Sequence, residues 1–267
     1  MSINSSSSGG IRRILDDTSN KLVKSSERLS SGLRINSASD DAAGLAIAAS
    51  LGTEAAIGRK GIDNASYAQS ALDIADAAVG QVKNIADRLN ELAQQSANGT
   101  LSNEQRSSLQ DEFSQLTQEI DRIAQTTQFN GVNLLQGVSI PVPVSDASNP
   151  NNIINIPAIE VSSNPLSGHN VSTQESAKAA MAAISSLRDN LNEATSSIGS
   201  IEKRLESATS TEKVAVENRL SAASRIRDVD YASEVAEHTK LSILQDSSTA
   251  MMAHSKQQES MVLQLLK

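Results

Sequence analysis

All five prolines of the chain, Pro141, Pro143, Pro150, Pro157 and Pro165, fall between positions 141 and 165. Proline removes a backbone donor and clashes with the preceding helical turn, so it breaks helices. The stretches 1–140 and 166–267 are free of it and can be helical throughout. Hydrophobic spacing turns that freedom into an expectation. Ala177, Ala180, Ile184, Leu187, Leu191, Ala194, Ile198, Ile201, Leu205 and Ala208 recur in steps of three and four, the rhythm of a coiled-coil seam. Ala68, Leu72, Ala75, Val79, Val82, Ala86, Leu89 and Ala93 form a second seam, and Leu109, Phe113, Leu116, Ile120 and Ile123 a third. The chain therefore reads as mainly α, a long antiparallel helical coiled-coil bundle with a small β-hairpin region in the middle.

Boundary signals agree with this reading. Ser102-Asn103-Glu104-Gln105 and Ser172-Thr173-Gln174-Glu175 fit the capping box that opens a helix. Asn98-Gly99-Thr100 separates two helices, and Asn130-Gly131 marks a turn after the third seam. In the proline window Val138, Ile140, Val142 and Val144 alternate with other residues, and Ile154, Ile156 and Val161 follow. Alternation bounded by turn residues predicts a short hairpin with proline-blunted edges.

Composition excludes several function classes. Tyr67, Phe113, Phe129 and Tyr231 are the only aromatic residues, so aliphatic side chains must build the core, and these pack well as narrow seams between helices. The net charge of −8, with both signs mixed along the chain, offers no basic stripe for nucleic acid. Apolar runs such as Leu45-Ala46-Ile47-Ala48-Ala49 are too short to span a bilayer, so no membrane partner is expected. Without cysteine there is no disulfide scaffold, thiolate metal site or cysteine nucleophile. Met1 is followed by a Ser-rich polar run and a Gly pair, not by the charged start and apolar stretch of a cleaved signal peptide. A cytoplasmic location or export by another route is the expectation.

Candidate chemistry is sparse. His169, His238 and His254 stand far apart, with no metal-ligand spacing among them. Asp16-Asp17 and Asp40-Asp41 are adjacent carboxylates that point apart on a helix. Neither a phosphate loop nor a Gly-x-Ser-x-Gly elbow occurs, and three glycosylation sequons, at Asn64, Asn98 and Asn170, match a pattern common by chance. No catalytic residue, cofactor or metal is expected.

The two ends carry the remaining signal. Ile11, Leu15, Thr18, Leu22, Ser25 and Leu29 keep the helical rhythm near the start, and Leu241, Leu244, Ser248, Met251, Ser255, Gln258, Val262 and Leu265 keep it near the end. Ser, Thr and Gln dilute both stripes. Isolated helices of this kind are marginal in water because nucleation is costly. A helix from Tyr231 to Lys267 would be roughly 55 Å long, more stripe than one small domain can cover. Ile11, Leu15, Leu22, Leu29, Leu241, Leu244, Met251, Val262 and Leu265 are the candidates for packing between copies of the chain.

Ser26-Glu27-Arg28-Leu29-Ser30-Ser31-Gly32-Leu33-Arg34-Ile35-Asn36-Ser37, then Asp40-Asp41-Ala42-Ala43-Gly44, resembles the N-terminal signature of bacterial flagellin. Ser96-Ala97-Asn98-Gly99-Thr100 and Thr127-Gln128-Phe129-Asn130-Gly131 are similar to later stretches. Ser224-Arg225-Ile226-Arg227-Asp228-Val229-Asp230-Tyr231-Ala232 and the closing Val262-Leu263-Gln264-Leu265-Leu266-Lys267 resemble the C-terminal signature.

The resemblance implies a structural subunit that polymerises into the flagellar filament, outside the cell, after export through the flagellar type III channel. The alternative is a hook–filament junction protein of the same design. It implies an inner layer of 1–39 with 231–267, an outer-core bundle of 40–137 with 172–230, and a short solvent-facing segment, 138–171. The partners implied are further copies of the chain, an export chaperone on the C-terminal helix, and the filament cap and hook-junction proteins. The Toll-like receptor that senses flagellin is a further implied partner, through Arg88, Leu89, Glu91, Leu92 and Glu112. Asn90 and Leu116 each stand where the receptor-binding pattern has arginine, and Ser5 to Gly10 are unlike the usual opening.

Overall fold

A computed structural model describes residues 2–265, with side chains over 9–258 and at 260 and 261. The elements in order are α1 (Ser2–Ser31), α2 (Ala42–Ser96), α3 (Asn103–Thr126), β1 (Gln128–Phe129), β2 (Val132–Asn133), β3 (Ile140–Pro143), β4 (Ile153–Ile156), α4 (Gln174–Arg227) and α5 (Tyr231–Leu265). This is the mainly helical chain with a small β interruption that the prolines and the heptad rhythm predict. Among the described residues no helix is long and apolar enough to cross a membrane. The chain forms two compact units, 1–53 with 218–267, and 54–217.

In the unit 54–217 the three seams share one core. Every seam residue of α2 from Ala68 to Ala93 is buried. Phe113, Ile120 and Ile123 of α3 meet them, as do Ile184, Leu187, Leu191, Ile198, Ile201 and Leu205 of α4. α3 and α4 both run antiparallel to α2. Arg188 Nε lies 3.4 Å from Asp87 Oδ1, while near the other end of the pair Gly58 of α2 faces Val216 of α4. Alanines on the α2 seam let the backbones approach, and leucine and isoleucine on α4 fill the space.

The α2–α3 turn is held by one buried cation. The Arg106 guanidinium donates to the carbonyls of Ser96 at 2.6 Å, Asn98 at 3.1 Å and Leu101 at 3.3 Å. It thus satisfies the Ser96 carbonyl that the end of α2 leaves free, where the helix dipole also favours positive charge, and ties it to two carbonyls of the turn. Ser102 accepts from Gln105 N, and the Gln105 side chain returns a bond to Ser102 N, so the expected capping box is formed. The second expected box moves by one residue. Thr173 Oγ1, not Ser172, accepts from Ser176 N at 3.1 Å, and Ser176 Oγ accepts from Thr173 N at 3.0 Å. The reason is the anchoring of Val171, which is buried and bonded on both sides. Its N–H donates to Gln110 Oε1 at 2.6 Å, and its carbonyl accepts from Ser96 Oγ.

Two hairpins cover this core. Asn130 (φ 50°) and Gly131 (φ 80°) turn β1 into β2, and paired positive φ values match the twist of a tight hairpin. In the second hairpin Ile140 pairs with Ile156 and Val142 with Ile154, and Val142, Ile154 and Ile156 turn into the core. Pro141 and Pro143 fit because a two-stranded sheet has only edges. The alternation in the sequence is longer than the strand. Val138 is exposed, and Val161 is buried outside any strand, its N–H donating to Leu135 O at 3.0 Å. The hairpin rests on Gly61, where a Cβ would overlap the Val144 carbonyl, and Asn64 Nδ2 donates to Pro143 O at 3.2 Å.

In the other unit α1 and α5 pair antiparallel, as their contacts show by running in opposite order. Tyr231 OH donates to Leu29 O at 3.3 Å, Arg28 lies 3.8 Å from Glu234, and Ser26 Oγ is 3.2 Å from His238 Nε2. The segments flanking the pair are clasped together. Leu33 bridges Asp228, Val229 N donates to Gly32 O at 3.0 Å, and Arg34 Nη2 donates to Ile226 O at 2.6 Å. Gly32 ends α1 with φ 72° and lies against the Tyr231 hydroxyl, a left-handed position that favours glycine.

Candidate functional site

The α1–α5 pair is where this chain departs from an ordinary packed core. The α1 side is Ile11, Leu15, Thr18, Leu22, Ser25 and Leu29, of which only Thr18 and Ser25 are buried. The α5 side is Glu234, His238, Leu241, Gln245, Ser248, Met252 and Ser255, spaced by heptads; Leu241 and Ser248 are buried and the rest only half-buried. Ser25 Oγ is buried without a hydrogen-bond partner. A seam with so many hydroxyls removes little apolar surface from water, and burial stabilises only by about 25 cal/mol per Å² of apolar area.

What the seam leaves uncovered is more informative. On α5 Ile243 is 61% exposed, Met251 60%, Met261 53% and Leu244 44%, with Val235 also exposed. Ile243 and Met261 are separated by about five full turns at ~3.6 residues per turn, so they share the side opposite the seam. Val235, Leu244 and Met251 occupy its flanks. Ile14 and Val23 of α1 are likewise exposed, one on either side of that helix's seam. α5 thus carries exposed apolar side chains away from the face covered by α1, and exposed apolar surface of this kind marks an interaction site.

The sequence-derived candidates divide along this geometry. Ile11, Leu15, Leu22, Leu29 and Leu241 lie on the seam of the pair. Leu244 and Met251 lie outside it, because the stripe facing α1 takes Gln245 and Met252 in their place. Val262 and Leu265 lie outside the described side chains. Ile14, Val23, Val235 and Ile243 were not singled out in the sequence. Their signal is there in the pairs Ile14-Leu15, Leu22-Val23 and Ile243-Leu244, where two neighbouring apolar residues cannot both face one partner.

A second cluster lies on the bundle. Arg88 Nε donates to Glu112 Oε1 at 2.8 Å and Nη1 to Glu91 Oε2 at 3.0 Å. Glu112 and then Glu91 hold the guanidinium even more firmly protonated than usual. Leu89 and Leu92 are fully buried beneath these residues. They support the patch from the core, and only Arg88, Glu91 and Glu112 offer atoms to solvent. Elsewhere Glu202 of α4 faces Asp73 and Asp76 of α2. Burial, then the two like charges, raise its pKa above the ordinary glutamate value.

Long helices with an uncovered apolar surface on the terminal pair define a subunit of the kind that is completed by association with further chains. The bacterial flagellin N-terminal helical region, as a family, matches residues 3–139, and the C-terminal helical region matches residues 181–266. A flagellin of Halalkalibacterium halodurans is 38% identical over 256 residues, with 93% of each chain covered. The flagellar filament 33 kDa core protein of Treponema phagedenis is 34% identical, with 96% of each covered. The crystal structure of Bacillus cereus flagellin superposes with a TM-score of 0.50 at 30% identity, over 56% of this chain and 88% of that one. The chain belongs to the bacterial flagellin family. It is a structural subunit that polymerises into the flagellar filament, a component outside the cell.

Proposed function

We propose that the α1–α5 pair is the contact through which copies of this chain assemble, and that its helices reach full order only as neighbouring copies cover them. The observation that carries this reading is the apolar surface of α5 on the sides away from α1, centred on Ile243, Leu244 and Met251. Ile11, Leu15, Leu22, Leu29 and Leu241 hold the pair together, and Leu244 and Met251 meet the neighbour. In this arrangement 1–39 with 231–267 form the inner layer of the filament. Residues 40–137 with 172–230 form the layer outside it, and 138–171 face solvent.

The same reading assigns the other partners. Before assembly the uncovered α5 is the segment an export chaperone would hold, and the chain leaves the cell through the flagellar type III channel. Cap and hook-junction proteins meet the ends of the filament. The Arg88–Glu91–Glu112 patch is the part of the bundle offered to the flagellin-sensing Toll-like receptor, by its match to the family pattern and its exposure.

The test is a double substitution, Ile243→Asp with Leu244→Asp, on the exposed side of α5. Two carboxylates would have to be desolvated in any contact there. Electron microscopy under polymerising conditions should show no filaments, while circular dichroism retains the helical signal of 54–217. Filaments of ordinary length from this variant would exclude α5 as the contact.

A further inference from the structure

With no cysteine in the chain, its oxidisable sulfur is methionine alone. Three of the five methionines, Met251, Met252 and Met261, stand on α5. They are not equivalent. Met252 is half-buried in the seam against α1, whereas Met251 and Met261 are 60% and 53% exposed on the outer surface. Met181, on α4, packs against the core of the bundle. Among the described residues the accessible thioethers are thus concentrated on the surface assigned above to subunit contact.

We infer that Met251 and Met261 form an oxidation-sensitive assembly site, an inference that rests on the proposed role of α5. A free subunit in which both have become sulfoxides no longer adds to the filament, while packing in the filament shields both from the oxidant. The oxidant class is a peroxide. Hydrogen peroxide transfers one oxygen atom to the Sδ lone pair: the O–O bond breaks, an S=O bond forms, sulfur is oxidised, and the second oxygen leaves with both protons as water. The product replaces a flexible apolar side chain with a polar, chiral one. Its oxygen is a strong acceptor that the thioether lacks, and a contact formed around the thioether has no donor arranged for it. A contact closing over that oxygen leaves it unpaired, which is costly. The lesion is reversible, because methionine sulfoxide reductases restore the thioether.

The experiment uses the full chain and dilute hydrogen peroxide, with peptide mass mapping at every methionine and light scattering to follow assembly. Each protein is compared with its own untreated sample, so differences in basal assembly cancel. Oxidised subunits should elongate at least about tenfold more slowly, the factor that one unpaired buried acceptor implies. Sulfoxide reductase should restore the rate. Treated Met251→Leu/Met261→Leu chains should keep their own untreated rate, whereas Met252→Leu chains should remain sensitive. In preassembled wild-type filaments Met251 and Met261 should oxidise far more slowly than in free subunits, with Met181 as the internal reference.

Equal oxidation of Met251 and Met261 in filament and free subunit would overturn the inference. So would loss of assembly in the treated Met251→Leu/Met261→Leu chain, or its rescue by Met252→Leu alone. The protection measurement needs no variant and stands even if the leucine chain folds poorly. The two readings fail separately. Normal filaments from Ile243→Asp/Leu244→Asp remove the assembly contact itself, whereas loss of those filaments without peroxide sensitivity removes only the oxidation site.

Discussion

Three residues carry more of this structure than their types suggest. Arg106 spans the turn after α2 by donating to three carbonyls. Changing it to methionine keeps the stem and leaves those acceptors bare, which should cost the bundle about 2–3 kcal/mol by chemical denaturation. Phe113 is the one aromatic ring fully enclosed in the core. Phe113→Ala should cost about 3–5 kcal/mol, and a loss below 1 kcal/mol would mean that the site collapses on truncation. Gly61 lies where the Val144 carbonyl touches α2, so Gly61→Ala should push the β3–β4 hairpin outward and speed amide exchange at Val142 and Ile154. Of these, only Phe113 was legible in the sequence, as an apolar member of a seam. The roles of Arg106 and Gly61 depend on backbone groups brought to them by tertiary contact, and no spacing rule reports that. Asn90 belongs to the same scale: Asn90→Arg beside Arg88 and Glu91 should raise Toll-like receptor signalling if that patch is read, and an unchanged response would retire the role.

Among the elements, the bundle helices were legible because their cores consist of apolar residues repeated at one fixed period. Each member of the α2 seam lies where the rhythm puts it, and the α4 seam is buried but for half-buried Ala194 and Ala208. The β3–β4 hairpin was legible for a different reason, since prolines forbid a helix and alternation then selects strands. The α1–α5 pair was legible only in part. With Ser and Thr at the seam, Leu244 and Gln245, or Met251 and Met252, are close alternatives for the inward position, and contacts along the whole pair choose between them. Between α2 and α4, Glu202 faces Asp73 and Asp76, and its pKa is raised in the folded state. The native bundle therefore holds that proton more readily than the unfolded chain. Its contribution is fully present below the ordinary glutamate value of 4.5 and is lost as pH rises through the higher folded value. Thermal melts should show Glu202→Gln gaining most over wild type near neutrality and least in acid. A constant difference across that range would contradict the assignment.

For the molecule as a whole, the two units should differ in autonomy. The core of 54–217 draws on α2, α3, α4 and both hairpins, and among the described residues no member of it comes from α1 or α5. Deleting 231–267 should leave that core folded by circular dichroism and abolish filaments. In the free subunit amide exchange should be slow over 68–93 and 177–208 and fast along α1 and α5, as expected where local opening costs little. The membership of the chain in the flagellin family was readable in its terminal signatures, but the sequence alone left open which side of each terminal helix meets its own chain and which meets another copy. The most direct measurement is hydroxyl-radical labelling of the free subunit and of the assembled filament, read at Ile14, Val23, Val235, Ile243 and Leu244. Strong labelling in the free subunit and strong protection on assembly is the expected result. Labelling of these five side chains that is the same in both states would contradict the account.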